Sequence, residues 1–337
     1  MDSTFGAHRR FMSFDGLRLH WVELGEPNAN PPLVLMHGLN DSHRTWRQVA
    51  PELARHRRVL VPDLPGHGLS ARPDATYELR WYARTMARWL DELGLDSLDV
   101  VGHSFGGGVG MVFLLECPER LRRLALVSSG GLGREIGLPL RLASIPYFVE
   151  HFGQPFMGPC TMLALKVTRV VPRDEIERLS AMNAQRGSAR AFARTVRDIV
   201  DWRGQRRSFF QRAHELSRLP SIAVFWGDRD PIIPVHHARA LTNYVHGIRV
   251  TVFEGCGHYP HHERPAALVG ALSDFLDDPA VPQATLRRRP LHVHRSSAGS
   301  TLSAHDLDDT HVRRSEDGRR DWLVPGGHRP RARSPFR

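Results

Sequence analysis

The pentapeptide Gly102-His103-Ser104-Phe105-Gly106 sets a serine between two glycines, after the apolar run LDVV and before the helix-like GGVGMVFLLE. A serine on a tight strand-to-helix turn projects its hydroxyl outward, under backbone strain that only small neighbours tolerate. The plain alternative is a glycine-rich turn with an incidental serine, and the flanking strand and helix weigh against it. A free hydroxyl is a weak nucleophile near neutral pH, so it needs a base. With 20 histidines in the chain, a histidine somewhere means nothing. His258 stands out because it follows the strand-like RVTVF, in the glycine-punctuated loop FEGCGHYP. Loops at the carboxyl ends of strands are where α/β sheets build their sites. The imidazole in turn needs a group to hold its tautomer, and a buried aspartate does this well. AVFWGDRDPIIP puts two candidates, Asp228 and Asp230, just beyond the preceding strand. Asp228 follows Gly227 at the strand exit and is placed to close the turn on amides two residues on. Asp230 precedes Pro231, which biases it toward an extended backbone and lets its side chain reach toward the histidine loop.

Composition removes other chemistries. Lys166 is the only lysine, and it lies in LALKVTRV. A Walker A loop, a protein kinase and a pyridoxal enzyme each need a lysine in a particular context, and this is none of them. Three cysteines without CxxC spacing argue against a disulfide framework or a zinc cluster and fit a reducing cytoplasm. No apolar run approaches the length of a membrane span, and the first residues lack the apolar core of a secretory leader. The expectation is a cytoplasmic protein without stable membrane insertion. The formal charge is +10 from 46 Lys+Arg against 36 Asp+Glu, and residues 281–337 carry twelve arginines against six acids. Six acids dilute that tail, so a solvated segment is expected and no nucleic-acid partner.

Positioning the serine, the aspartates and the histidine requires an alternating α/β chain. Strands are expected at 10–14, 18–24, 33–36, 59–61, 98–101, 124–128, 222–225 and 249–253. The first two flank Asp15-Gly16, a strong hairpin signal. The later ones are nearly continuous apolar runs, as parallel strands buried on both faces require. Helices are expected at 79–93 and 107–116. Between Gly130 and Leu219 the alternation stops, and 174–185, 189–200 and 208–216 carry helical spacing without a convincing strand. The reading is an α/β core over 1–130 and 218–282, a helical cap over 131–217, and a disordered, removable Arg-rich tail over 283–337.

The order Ser…Asp…His, the elbow GHSFGG, the early His37-Gly38 turn after a strand, the loop DLPGHGLS (63–70) and the stretch HERP (262–265) together resemble the α/β-hydrolase fold superfamily. The resemblance covers about residues 10–280 and is strongest to capped bacterial hydrolases, a group of small esterases and carbon–carbon bond hydrolases. It implies a mostly parallel sheet with helices on both faces. It implies Ser104 as nucleophile, His258 as base and, from the pattern G-x-x-D, Asp230 as acid. The amide after the nucleophile, Phe105, is one oxyanion donor, and Leu39 in LVLMHGLND is the candidate for the second. Serine at the elbow sets the chain apart from proteins resembling haloalkane dehalogenases and epoxide hydrolases, which carry aspartate there. His103 stands where the carbon–carbon group often shows asparagine. The expected activity is hydrolysis of a small-molecule acyl substrate through an acyl-enzyme, with no cofactor and no metal. Two rivals stand beside it: carbon–carbon cleavage of a vinylogous diketone at the same residues, and a ligand-binding or receptor protein on this fold with little turnover.

Other features receive plainer readings. His236-His237 and His261-His262 have no carboxylate or cysteine at metal-ligand spacing. Cys256 is a small loop residue near His258. Phe148, Phe152, Phe156, Met157 and Met162 either line an acyl pocket or pack the cap onto the core.

Overall fold

Asp15 and Gly16 both take positive φ, 50° and 74°, the conformation that joins two strands in a two-residue hairpin. That hairpin opens an eight-stranded sheet in a computed structural model that describes residues 5–144, 148–168 and 173–287. Its strands are β1 (His8–Phe14), β2 (Leu17–Leu24), β3 (Leu33–Met36), β4 (Val59–Asp63), β5 (Leu98–His103), β6 (Leu121–Val127), β7 (Ser221–Gly227) and β8 (Arg249–Phe253). They lie in the order β1-β2-β4-β3-β5-β6-β7-β8. β1 with β2 and β2 with β4 pair antiparallel, and every other pairing is parallel. All eight coincide with the runs read from sequence. β4 and β5 each run two residues further, so they deliver Asp63 and His103 to the carboxyl edge of the sheet.

The continuous apolar runs are explained by burial on both faces. Val34, Val100 and Val224 point to one side, against Tyr82 and Trp89 of helix α1 (Leu79–Glu92) and Phe113 of α2 (Phe105–Glu116). Leu35, Val101 and Phe225 point to the other. There they meet Leu268, Leu272 and Phe275 of a closing helix at Pro265–Asp277. Strand residues alternate sides, so consecutive positions must be apolar for both layers to close.

Between β6 and β7 the described residues form α3 (Leu138–Ala143), α4 (Phe148–Phe152), α5 (Met157–Thr168), α6 (Arg173–Asn183) and α7 (Ser188–Ile199). Two expectations need correction here. A small antiparallel pair, Val200–Asp201 with Gly204–Gln205, sits where no strand was expected. The stretch 208–216 is not one helix but two 3₁₀ turns, Phe209–Gln211 and Ala213–Glu215. The Phe209 amide donates to the Gly131 carbonyl (2.9 Å), which ties the segment to the start of the insertion and breaks the α-helical path.

The expected tail boundary also moves. Ala284 is buried and its amide donates to the Pro220 carbonyl (3.0 Å). Thr285–Leu286 pairs with Val245–His246. The body therefore reaches residue 287, and a two-residue strand is too short to show an alternating pattern. The rest of the tail, and the disorder expected for it, lie outside the described residues. No helix among the described residues is long and apolar enough to cross a membrane.

Candidate active site

β5 ends at His103 and α2 begins at Phe105, so the turn between them is one residue, Ser104, at φ 51° and ψ −112°. A serine pays strain for positive φ and holds it only where the surroundings over-determine the backbone. Here they do. The Ser104 amide donates to the Val127 carbonyl (2.9 Å), and its own carbonyl accepts from Gly107 (3.1 Å), Gly108 (3.3 Å) and Gly130 (3.1 Å). A Cβ on Gly106 would lie 2.5 Å from the Met36 carbonyl oxygen and 2.6 Å from that of His37. One on Gly102 would lie 2.5 Å from the Gly106 carbonyl oxygen. Both glycines are needed because the start of α2 meets the ends of β3 and β5 backbone to backbone.

The His37-Gly38 turn lies against the serine: a Cβ on Gly38 would come within 3.5 Å of Ser104 Cβ. His37 holds that turn with both ring nitrogens. Its Nδ1 donates to the Gly38 carbonyl (2.7 Å), and its Nε2 accepts from the Leu64 amide (3.0 Å). Burial lowers its pKa and keeps the ring neutral, as this tautomer requires. Leu39 follows on the same turn, and Phe105 occupies the first helical position, where the helix supplies no acceptor for the amide.

His258 and Asp230 meet at the carboxyl ends of β8 and β7, with His258 Nδ1 2.8 Å from Asp230 Oδ2. The side chain of Asp230 is fully buried, and that of His258 nearly so. Asp230 Oδ1 accepts from the amides of Ile232 (2.8 Å) and Ile233 (2.9 Å). Asp228 is exposed and accepts from the Cys256 amide (3.2 Å), which steadies the histidine loop. The division of labour between the two aspartates differs from the sequence reading in one respect. Asp230 itself closes the turn two residues on, with one oxygen, while the other reaches His258.

His103 brings that loop to the elbow. Its Nε2 donates to the His258 carbonyl (2.9 Å), and its ring lies 4.9 Å from that of His258 and 4.4 Å from that of His261. Burial holds His103 and His261 well below the ordinary histidine range. Cys256 is wholly buried and its thiol is pushed up to about 12, chiefly by that burial, which makes it an inert neighbour.

Three histidine–carboxylate clusters form in three dimensions without metal-ligand spacing in the sequence, because the carboxylates come from far along the chain. Asp41 joins His261 and His262, Glu135 joins His236 and His237, and Asp63 joins His20 and His43, each set with ligand atoms within 4.8 Å of one another. The last of these had no signal in sequence. Asp63 Oδ1 accepts from the His43 amide (2.7 Å) and ring (2.8 Å), and Oδ2 from His20 (2.8 Å) and the Leu69 amide (2.8 Å). Burial opposes its charge, but the two histidines outweigh that and hold its pKa well below the ordinary range. Four donors already satisfy this carboxylate, so the cluster is a brace that anchors 63–70. A Cβ on Gly68 would lie 2.0 Å from the Asp63 carboxyl carbon.

The insertion is fastened to the loop that carries Leu39. Asn183 Nδ2 of α6 donates to the Asn40 carbonyl (3.0 Å), and Arg44 Nη2 pairs with the buried Glu175 Oε1 (2.8 Å). Of the apolar residues read as acyl-pocket candidates, Met157 is buried, whereas Phe152 (65%) and Phe156 (56%) face solvent. Phe148 lies outside the residues whose side chains are described.

Sheet order, elbow and the Asp230–His258 pair together define an α/β hydrolase. The family model for the alpha/beta hydrolase fold matches residues 31–265, and the chain belongs to that family. An uncharacterized protein of Mycobacterium tuberculosis is 34% identical over 278 residues, which is 77% of this chain and 81% of that one. The 2-hydroxymuconate semialdehyde hydrolase of Pseudomonas sp. (strain CF600) is 30% identical over 76% of this chain and 90% of that one. Among solved structures, Cfl2 from Burkholderia cenocepacia superposes with a TM-score of 0.70 at 25% identity, over 82% of this chain and 98% of that one.

Proposed function

We propose that the protein is a serine hydrolase that cleaves an ester through an acyl-enzyme. The observation that carries the reading is a serine held at φ 51° on a strand-to-helix turn, next in the chain to His103, whose ring bonds the carbonyl of His258, while His258 Nδ1 is 2.8 Å from a buried aspartate. With Nδ1–H donated to Asp230, His258 keeps its lone pair on Nε2, the form that accepts a proton. Ser104 Oγ attacks the ester carbonyl and His258 takes the hydroxyl proton. The amides of Phe105 and Leu39 hold the oxyanion; loss of one such donor typically costs about 3–4 kcal/mol of barrier. The tetrahedral intermediate collapses, the alcohol leaves with the proton from His258, and water then releases the acid by the same steps in reverse roles.

A second reading is hydrolysis of a carbon–carbon bond in a vinylogous diketone, favoured by the kinship with 2-hydroxymuconate semialdehyde hydrolase at 30% identity. His103, buried and bonded to the His258 carbonyl, stands where that group often has asparagine, and this favours the ester. A chain-length panel of aryl esters, run beside a dienone diketone, separates them. Ester turnover with a trapped acyl-enzyme supports the first reading, and turnover of the dienone alone supports the second. Binding of both without turnover would make the chain a receptor on this fold. A serine-directed phosphonate is expected to add its mass at Ser104 alone, and Ser104→Ala to abolish turnover while leaving the melting temperature unchanged.

A further inference from the structure

Among the described residues, six of the nine large hydrophobic side chains exposed to solvent belong to the insertion. Three of them lie on one continuous helical path. α4 passes through Gly153 and a 3₁₀ turn at Gln154–Phe156 into α5 without leaving right-handed helical backbone. The amides of Gly153 and Met157 each bond four residues back, to Val149 (2.9 Å) and Gly153 (3.1 Å). Along this path Phe152, Phe156, Cys160 and Leu163 are exposed, with Pro155, Pro159 and Ala164 beside them. Steps of three and one repeat from 152 to 164, which is one face of a helix. The other side is apolar as well: Met157 and Gly158 are buried, and Gly158 packs on Ser180 of α6. A surface helix ordinarily turns polar residues outward. This one turns a stripe of apolar residues to water, the mark of a surface that something covers.

Charge selects the occupant. Residues 131–217 contain 14 Lys+Arg against 8 Asp+Glu, a net +6, whereas the rest of the first 280 residues sums to −2. Two copies brought together through their insertions would set like charges face to face. An anionic surface is complementary. Trp202, at the tip of the small hairpin and 72% exposed, stacks under Arg203 at 4.9 Å, and Lys166 is exposed next to the carboxyl end of the stripe. Aromatic and aliphatic side chains beside cationic ones are what the boundary between headgroups and acyl chains accepts. We propose that the insertion docks on a bilayer containing anionic lipid, with the 152–164 stripe entering that boundary. The contact is peripheral, and it holds whichever bond the active site cleaves.

The test uses the full chain and vesicles of phosphatidylcholine with phosphatidylglycerol at 7:3. Cys160 is exposed and Cys256 buried, so in a Cys117→Ser background an environment-sensitive fluorophore can be attached on the stripe. The expected result is co-sedimentation with these vesicles, a blue shift of the fluorophore on binding, and weak binding to pure phosphatidylcholine. A Phe152→Ser/Phe156→Ser/Leu163→Ser variant is expected to lose at least about tenfold in partition coefficient with an unchanged melting temperature, because the three side chains face water in the free protein. Vesicle binding that survives the triple change, or occurs without the blue shift, would assign the contact to another basic surface and overturn the proposal. So would a blue shift that grows with protein concentration in the absence of lipid, which would make the occupant a second copy. Failure to bind the anionic vesicles at all overturns it outright.

Discussion

Replacing Asp230 by asparagine changes one atom in a group held on both oxygens. Oδ1 accepts from the amides of Ile232 (2.8 Å) and Ile233 (2.9 Å), and Oδ2 takes the His258 ring nitrogen at 2.8 Å. Two backbone donors fix which end of the asparagine amide keeps the carbonyl, so its NH2 is forced against Nδ1 of His258. Donor then faces donor. The ring relieves this by moving its proton to Nε2, where the proposed role of His258 as base toward Ser104 needs a lone pair. The same exchange in a well-studied serine protease costs about 10⁴ in turnover, which at 1.36 kcal/mol per tenfold is about 5.5 kcal/mol of barrier. Initial rates with an aryl ester are expected to fall by about 10³–10⁴ in kcat, with KM little changed. The melting temperature should hold, since both amide bonds survive. Asp228→Asn is the matched control. Asp228 is exposed and keeps its single acceptor role toward the Cys256 amide, so its rate should stay within about threefold of the parent, as for most surface substitutions. An Asp230→Asn protein within about tenfold of the parent, or an inactive Asp228→Asn, would refute the assignment.

Gly106→Ala should be poorly soluble or melt far lower, because its Cβ would press on the Met36 and His37 carbonyl oxygens at 2.5 and 2.6 Å; a thermal scan within a degree of the parent would contradict the backbone-to-backbone packing. Acid should destabilise the fold early. Burial holds His67 at about 3 and His262 at about 4, and lowers His37, His103 and His261 as well. The folded chain leaves these rings neutral while the unfolded chain protonates them below about pH 6.5, so their contribution is complete above that pH and is lost as pH falls toward 4, by up to about 1.4 kcal/mol per ring and pH unit. A melting temperature that stays flat from pH 7 to pH 5 would contradict this. A chain ending at Pro282 loses the Ala284 and Arg287 backbone bonds (3.0 and 2.8 Å) and should be less stable by about 2 kcal/mol, whereas one ending at Arg287 keeps them; equal melting temperatures for the two would show that residues 283–287 add nothing.

What could be read from the sequence follows from where physics leaves a local mark. Strands buried on both faces are apolar at nearly every position, so β3 through β7 stood out as runs such as LVLM and SIAVFW. The elbow was equally legible, since a tight serine turn between a strand and a helix needs glycine on both sides. Pairings between distant residues leave no such mark. Asp41 and His261 are 220 positions apart, and Glu135 and His237 are 102 apart, so the carboxylate in each cluster could not be matched to its imidazoles by spacing. Thr285–Leu286 was missed because two residues cannot display a period. The helix over Met157–Thr168 was not read from the sequence, because it has apolar residues on both sides and so shows no amphipathic period.

Asn183 on Asn40 and Glu175 on Arg44 make the insertion and the loop beside the elbow a single mechanical unit. A graft of another protein's insertion onto this core would strip Arg44 of a buried carboxylate and release the Asn40 carbonyl from its donor. The transplanted segment could then bring its own pocket and still fail. The loop carrying Leu39, the proposed second oxyanion donor, would be left to relax by fractions of an ångström, and such donors tolerate little displacement. Recombination in this protein therefore has a natural seam that differs from the domain boundary: residues 40–44 travel with 173–183, and a chimera that respects that seam should retain the activity that one cut at residue 131 loses.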